Sequence, residues 1–316
     1  MTADHRRQLG TRFVTPATAT PRHTVQASNL GRVVFFMVGA LLSFSAMAVS
    51  IRALAATLSI FEILAIRSGL GLLMMTAVAL LRPELRKTLA PRRMGLHIVR
   101  NSLHFGAQYA WALSLTLMPL ATIFALEFTA PAWTALLAVM FLGERMTVSR
   151  IGAIVLGFLG VLVILRPGLA SFNAAAMLVL AAAFGFASSN IATKKLTQTE
   201  STFAIIFAMN LLQLPMALFA SDIYFPARLA AAQLPAVLAV GVAGLAAHYC
   251  LANAFRSGDA SIVVTIDFFR IPLIAVVGWW LYGEALDVFV FAGAALIVVG
   301  VIWNLRTEAS RTRALE

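Results

Sequence analysis

The chain repeats itself at an offset of 140 residues, and this repeat constrains its fold more than any single motif does. The matching positions fall within apolar segments or at their ends: Tyr109 with Tyr249, Glu127-Phe128 with Asp267-Phe268, Gly143-Glu144 with Gly283-Glu284, Gly160 with Gly300, and Arg166 with Arg306. One polypeptide therefore contains two homologous halves. Each half is predicted to cross a membrane five times, and because five is odd, the halves must enter the bilayer from opposite sides.

The composition indicates a polytopic membrane protein. Hydrophobic residues make up 61% of the chain and charged residues only 12%, with a mean hydropathy of +0.90, unlike a soluble domain. The 316 residues can supply about ten helices of roughly 20 residues, the length that crosses a hydrocarbon core of about 30 Å. Apolar runs place these spans at 33–54, 61–81, 95–115, 120–142, 151–166, 174–193, 202–220, 234–254, 262–282 and 288–304.

The predicted fold class is therefore an all-α integral membrane protein, with ten transmembrane helices arranged as two inverted five-helix repeats. Residues 1–32 are predicted to form a disordered cytoplasmic tail, because they lack the apolar core and cleavage site of a secretory signal. The first repeat is predicted at 33–166, the second at 174–304 and a further cytoplasmic tail at 305–316. Inverted repeats of this kind are typical of secondary transporters.

The distribution of basic residues predicts the orientation. With both termini in the cytoplasm, 18 of the 24 Lys and Arg residues lie on the cytoplasmic side, and only Arg52, Arg166 and Arg228 lie on the other. Such an asymmetry is the positive-inside pattern of membrane proteins. This pattern accounts for the net charge of +11. The basic residues are therefore expected to attract anionic membrane lipids, and a nucleic-acid partner is not expected.

Four ionisable residues lie deep within the predicted spans: Arg67, Glu127, Asp267 and Arg270. Each charge at mid-bilayer costs on the order of 3 kcal/mol, so these side chains are expected to face the bundle interior or a wet cavity. They could bind a substrate or exchange protons as access alternates. Alternatively, Glu127 pairs with Arg67 and Asp267 with Arg270, and both pairs only stabilise the bundle. Glu62, at the start of the second span, is expected to reach water.

A proline follows each buried carboxylate: Pro131 comes four residues after Glu127, and Pro272 comes five residues after Asp267. Each proline removes a backbone hydrogen bond to the preceding turn. The sequence therefore predicts a kink at each site, which is either a hinge or binding site or a rigid packing feature.

Polar and aromatic residues at helical spacing extend the candidate cavity. They lie on the third and eighth spans: His104, Gln108, Trp111, His248, Tyr249 and Asn253. Their rings and amides suit an amphipathic solute, although such groups also hydrogen-bond between neighbouring helices without any ligand. The single Cys250 excludes an intramolecular disulfide and a CxxC metal or redox site, and no cofactor or metal is expected.

The chain resembles the drug/metabolite transporter superfamily in its EamA-like branch. The resemblance covers residues 33–304 and rests on the order of three segments: Phe61-Glu62 through Arg67, Pro119 through Pro131 with Leu142 to Arg145, and Tyr282 to Glu284. It implies a ten-helix alternating-access carrier in a bacterial inner membrane, with its small-molecule substrate held between the two halves. The stretch from Phe61 to Arg67, the spacing of His97 and Arg100 and the segment at Pro119 are also similar to S-adenosylmethionine uptake carriers.

The sequence leaves the substrate open between an amino acid, an S-adenosylmethionine-like compound and another amphipathic solute, and it leaves uptake open against efflux. The predicted mechanism exposes Glu127 and Asp267 in alternating vestibules, with a protonation cycle as the natural coupling. A passive channel or a membrane enzyme is a remote alternative, since HExxH and GxSxG motifs are absent. The expected oligomeric state is a monomer or a homodimer.

Overall fold

The computed structural model describes residues 30–142, 146–166, 174–257, 263 and 266–315, and its regular secondary structure there is helical. The helices are α1 Leu30–Leu54, α2 Ile60–Leu81, α3 Pro83–Arg86, α4 Met94–Ser114, α5 Leu120–Glu127, α6 Ala130–Leu142, α7 Val148–Leu165, α8 Ala174–Leu196, α9 Thr202–Leu218, α10 Leu234–Ser257, α11 Arg270–Tyr282 and α12 Val288–Leu315. Two short 3₁₀ helices, Phe225–Arg228 and Ala231–Gln233, precede α10.

Helices long and apolar enough to cross a membrane occur at seven places in the described chain: Leu30–Leu54, Ile60–Leu81, Leu120–Phe141, Val148–Leu165, Ala174–Leu196, Ala231–Ala254 and Val288–Thr307. Two shorter apolar helices are Thr202–Leu218 and Arg270–Tyr282. An all-helical membrane architecture is thus confirmed, whereas the count of ten spans stays a prediction. The helix α4 was predicted as the third span but is not among these seven helices, because its polar residues lower its hydropathy.

The ends of the predicted segments differ from the structure in two respects. The helix α12 continues to Leu315, so the residues predicted as a C-terminal tail extend the last helix. The predicted fourth span is two helices, because α5 ends at Glu127 and α6 begins at Ala130. Most of the predicted N-terminal tail, 1–29, lies outside the described residues.

Helix starts follow local capping rules. Ser59 precedes α2, its side chain accepts from the backbone N–H of Glu62, and the Glu62 side chain accepts from the Ser59 backbone N–H. This reciprocal capping box satisfies two donors that a helix start leaves open. Thr147 and Ser201 accept the equivalent first-turn bonds at α7 and α9.

Helices from the two halves interleave, and four of the packing pairs keep their pattern when the halves are exchanged. These pairs are α1 with α10, α4 with α8, α2 with α9 and α7 with α12. The offset of 140 residues makes α1 correspond to α8, α2 to α9, α4 to α10 and α7 to α12, so these four pairs map onto themselves. One apolar core, which includes Phe124 and Ile274, therefore draws on both halves.

The crossing of α7 and α12 shows this exchange in atomic detail. A Cβ atom added to Gly160 would lie 2.5 Å from the carbonyl oxygen of Gly293, and one added to Gly293 would lie 2.5 Å from that of Gly160. Seven residues away on each helix, a Cβ on Gly300 would lie 3.1 Å from the Cα of Ala153. The helices are therefore antiparallel, and small residues let their backbones approach closely.

Candidate functional site

The break between α5 and α6 places Glu127 at the end of a helix inside the bundle. Pro131 is the second residue of α6 and has no N–H to donate to the Glu127 carbonyl one turn earlier. The N–H of Phe128 instead bonds to Phe124 and that of Thr129 bonds to Leu126, which closes α5 with a tight turn. The predicted kink is present at this position.

The second half has a matching break. The N–H of Phe269 bonds to the Ile266 carbonyl at 3.0 Å, and α11 begins at Arg270 with Pro272 in its first turn. Asp267 lies just before this break, as Glu127 lies just before the first. Whether either kink moves as a hinge stays a prediction.

Arg270 bridges the two carboxylates. Its Nη2 lies 3.0 Å from Asp267 Oδ2, and its Nη1 lies 3.6 Å from Glu127 Oε1. The guanidinium carbon also lies over three aromatic rings, at 4.6 Å from the ring centre of Phe44, 5.1 Å from Phe128 and 5.3 Å from Phe124. The predicted Asp267–Arg270 pair is confirmed, but Glu127 faces Arg270 rather than Arg67.

The remaining oxygens of the two acids differ in their partners. Trp111 Nε1 donates to Glu127 Oε2 at 2.8 Å, so α4 holds the end of α5. Asp267 Oδ1 is buried without a hydrogen-bond partner in the part of the chain that the structure describes. A buried carboxylate oxygen without a partner is costly, and it offers an acceptor to a ligand.

Both acids line one cavity of about 500 Å³, a size that suits a small organic molecule. Its polar lining comprises Glu127, Thr134, Arg150, Asn190, Lys194, Asp267, Arg270 and Asn304. The cavity runs from the two helix breaks to the end of the bundle where α7 begins and α8 ends. In this conformation the two acids therefore share one cavity rather than lying in separate vestibules.

A second polar cluster lies between α2, α4, α9 and α10. Arg67 is only 4% exposed, and its Nη1 donates to Gln108 Oε1 at 3.1 Å. His104 Nδ1 accepts from Gln213 Nε2 at 2.9 Å, and the rings of His104 and His248 lie 6.5 Å apart. The structure thus brings together four of the predicted site residues. Sequence reasoning missed Gln213, whose signal was a polar side chain within the apolar run of α9.

Two other predicted residues lie away from both clusters. Tyr249 is 64% exposed on the outer face of α10, where its ring meets the edge of Phe36. The Asn253 amide donates to the Tyr249 carbonyl of its own helix at 2.8 Å. The prediction that they line the cavity was therefore wrong in this conformation, because the helix turns them away from the centre.

Ion pairs join the connections at the end of the bundle opposite the cavity. Arg52 binds Glu284, and it also donates to the carbonyls of Leu115 at 2.6 Å and Met118 at 2.8 Å. Glu284 Oε2 accepts from the backbone N–H of Leu120 at 2.9 Å. These bonds connect the end of α1, the connection from α4 to α5, and the residues just after α11. Gly283, in the left-handed region at φ 65°, ends α11 and turns Glu284 back.

Two further ion pairs lie at this end. Glu62, expected to reach water, is instead buried and binds Arg228, since the connection before α10 covers it. Arg166, after α7, binds Asp287, before α12. The first pair holds the connection before α10 to the start of α2. The second pair holds the connection after α7 to the connection before α12.

At the cavity end, an acid outside the membrane-spanning helices has a side chain that is only 2% exposed. Glu200, between α8 and α9, accepts from His97 Nε2 and, at 3.1 Å each, from the backbone N–H groups of Arg92 and Arg93. Burial raises the pKa of Glu200, but these hydrogen bonds outweigh burial and hold it below its ordinary value. The pair ties α4 to the connection between α8 and α9.

Comparison with known proteins identifies similar chains. The EamA-like transporter family model matches twice, at residues 31–166 and 173–306. A riboflavin transporter of Brucella anthropi is 28% identical over 76% of this chain and 86% of its own length. An S-adenosylmethionine uptake transporter of Rickettsia felis is 26% identical over 71% and 76%. A pseudopaline exporter of Pseudomonas aeruginosa is 30% identical over 84% and 93%.

Proposed function

Because the chain belongs to the EamA-like transporter family, we propose that it carries a small organic metabolite across a bacterial inner membrane by alternating access. The observation that carries this proposal is the cavity of about 500 Å³, which ends at two broken helices and two partly buried acids. Broken helices near the bilayer midplane, contributed by both repeats, are where secondary transporters hold substrate.

The mechanism follows from two inverted repeats that rock against each other. The exchange-symmetric packing of the helices and the antiparallel crossing of α7 and α12 support an axis in the membrane plane between the halves. The repeats would comprise 33–166 and 174–304, each with five spans. The basic residues support an orientation with both termini in the cytoplasm, and the cavity then faces the cytoplasm.

In this orientation the periplasmic end is closed by the pairs Arg52–Glu284, Glu62–Arg228 and Arg166–Asp287. The opposite state requires these pairs to separate and the cavity end to close. The two prolines, Pro131 and Pro272, lie where the helices must bend for that exchange, so we assign them the role of hinges.

Proton coupling would use Glu127. Its carboxylate faces Arg270 and Trp111, so protonation would weaken one ion pair and leave Asp267 to hold Arg270. The strength of the contact between α4, α5 and α11 would then depend on whether Glu127 is protonated. Glu127 is accordingly the residue whose charge links a pH gradient to helix movement.

The test is transport by the purified protein in proteoliposomes, with riboflavin, S-adenosylmethionine and amino acids as solutes. A carrier gives saturable uptake and counterflow, which a passive channel does not. Glu127→Gln should lose accumulation driven by a pH gradient but keep counterflow at saturating solute, whereas the exposed Glu84→Gln serves as the matched control and should keep both at every concentration. Uptake by wild type that ignores an imposed pH gradient would reject the coupling.

Export is the second candidate, because the Pseudomonas aeruginosa relative is an exporter and the cavity in this conformation would load from the cytoplasm. The same proteoliposomes decide it. Accumulation of the solute against its own gradient is measured with the proton gradient imposed first in one direction and then in the other. The side on which the solute accumulates gives the direction of transport.

A further inference from the structure

Arg67 carries a buried charge that its protein neighbours do not balance. In the described part of the chain it makes no ion pair, and its polar contact is the neutral amide of Gln108. Its Nε is buried and has no hydrogen-bond partner among the residues that the structure describes. Gly244 on α10 allows this close packing, since a Cβ there would lie 3.0 Å from Nε.

Among the described residues, the other polar groups of this cluster add no negative charge. They are the imidazoles of His104 and His248 and the amides of Gln108 and Gln213, contributed by α4, α9 and α10. An ionised side chain inside a membrane protein persists when it faces a partner or a transported ligand. The missing partner of this cluster is therefore an anion.

The neighbouring cluster of Glu127, Asp267 and Arg270 has the opposite imbalance, while Arg150 and Lys194 line the far end of the same cavity. Two carboxylates, Glu127 and Asp267, share one guanidinium, that of Arg270. When both acids are ionised this cluster has a formal charge of −1, and Asp267 Oδ1 has no hydrogen-bond partner among the described residues. It suits a cationic or hydrogen-bond-donating group.

The two clusters adjoin each other. Gln108, which binds Arg67, and Trp111, which binds Glu127, are three residues apart on α4, or about 4.5 Å along the helix axis. Phe44 touches both clusters, because its ring lies 6.2 Å from that of His248 and 4.6 Å from the guanidinium carbon of Arg270. The two clusters thus meet at neighbouring turns of α4 and on either side of the Phe44 ring.

We propose that the transported solute is dipolar: its carboxylate or other oxyanion binds Arg67, with Gln108 beside it, and its cationic group binds at Glu127 and Asp267. This inference rests on the proposed function and specifies its substrate class. A neutral solute would leave both clusters unbalanced, and a simple cation would leave Arg67 unbalanced. A planar guanidinium suits an oxyanion because it can donate two parallel hydrogen bonds.

The test is thermal stabilisation of the purified protein by matched probes. The dipolar set is S-adenosylmethionine and the twenty protein amino acids. Decarboxylated S-adenosylmethionine and amino-acid amides lack the anion, N-acetyl amino acids lack the cation, and riboflavin is the neutral probe. Each is titrated against wild type, Arg67→Gln, Arg67→Lys and the exposed control Arg86→Gln.

We expect a dipolar probe to stabilise wild type and Arg86→Gln, and its counterparts lacking one charge to bind about tenfold more weakly, which is the loss of one charge-assisted hydrogen bond. Arg67→Gln should lose the preference for the carboxylate, and Arg67→Lys should restore part of it. If Arg67→Gln does not fold, the Arg67→Lys variant and the probe series on wild type decide the matter.

Stabilisation by riboflavin or an amide that equals or exceeds that by the dipolar probes, or survives Arg67→Gln unchanged, overturns the inference. So does the absence of stabilisation by every dipolar probe. In those cases saturable transport of a neutral solute leaves the proposed function standing. Conversely, dipolar probes that bind at Arg67 but are never transported would refute the transport function and keep the binding site.

Discussion

Arg270 lies between Glu127 and Asp267, so its removal leaves two partly buried acids without their cation. Breaking a buried pair in this way commonly costs about 3–5 kcal/mol. Because the side chains of Glu127 and Asp267 are 18% and 15% exposed, we expect Arg270→Gln to lower the free energy of unfolding by about 3 kcal/mol, at the low end of that range.

Glu127→Gln should cost much less, since its amide oxygen still accepts from Trp111 and Asp267 keeps Arg270. Thermal unfolding of the purified variants in detergent checks this order, with Arg86→Gln as the exposed control. Equal stability of wild type and Arg270→Gln would show that water, rather than Arg270, balances the two acids.

Glu200 predicts a pH dependence of stability at the cavity end. Its pKa in the folded chain lies below the ordinary value of 4.5 because of hydrogen bonds from His97 and two backbone N–H groups. Such a group stabilises the fold above the unfolded pKa, and the stabilisation is lost as the pH falls through the folded pKa. We expect Glu200→Gln to lower the stability near neutral pH by about 1.5 kcal/mol, the worth of a charge-assisted hydrogen bond.

The difference between wild type and Glu200→Gln should shrink as the pH falls below the ordinary value of 4.5. Melting temperatures of the two proteins across that range provide the measurement. A constant difference down to the lowest pH would mean that the bonds at Glu200 do not depend on its ionisation.

At the scale of the helix, the break before Pro131 determines where Glu127 points. With alanine at position 131, the backbone N–H can donate to the Glu127 carbonyl, so α5 and α6 can join into one helix. We expect Pro131→Ala to slow transport several-fold while the melting temperature stays the same or rises. Pro272→Ala in the other half should act alike.

The control for the two proline variants is Pro215→Ala, because Pro215 lies inside α9 and away from both acids. Initial rates of uptake and of counterflow in proteoliposomes give the comparison. If all three variants transport at the wild-type rate, the kinks are packing features and not hinges.

At the scale of the whole molecule, the structure is open at one end and held at the other. At the closed end, Arg52 and Glu284 join the end of α1, the connection from α4 to α5 and the residues just after α11. We expect Glu284→Gln to loosen this end and to shift the protein towards the opposite conformation, because the amide cannot replace the ion pair. Glu84→Gln, on the exposed helix α3, should have no effect.

The measurement is labelling of one cysteine, introduced at Phe61 in the first turn of α2, in a chain whose Cys250 is replaced by serine. A membrane-impermeant maleimide should react several-fold faster in Glu284→Gln than with native Glu284. Equal rates would indicate that the Glu62–Arg228 and Arg166–Asp287 pairs suffice to keep this end closed.

The sequence determined the class of the protein and most of its helices, because the repeat at 140 residues and the long apolar runs are local or linear features of the chain. It also identified Arg67, Gln108, Glu127, Asp267 and Arg270, since charged and polar groups stand out in apolar spans.

Only the tertiary structure decided the partners of these groups. Glu127 meets Arg270 and Trp111, and Arg67 meets Gln108, because the helix pairing brings α4 and α11 to the end of α5 and leaves α2 facing α4. The face that a helix turns outward, as at Tyr249, likewise depends on its neighbours. Contacts between residues distant in sequence depend on which helices pack together, and a single sequence does not encode that pairing in any local pattern.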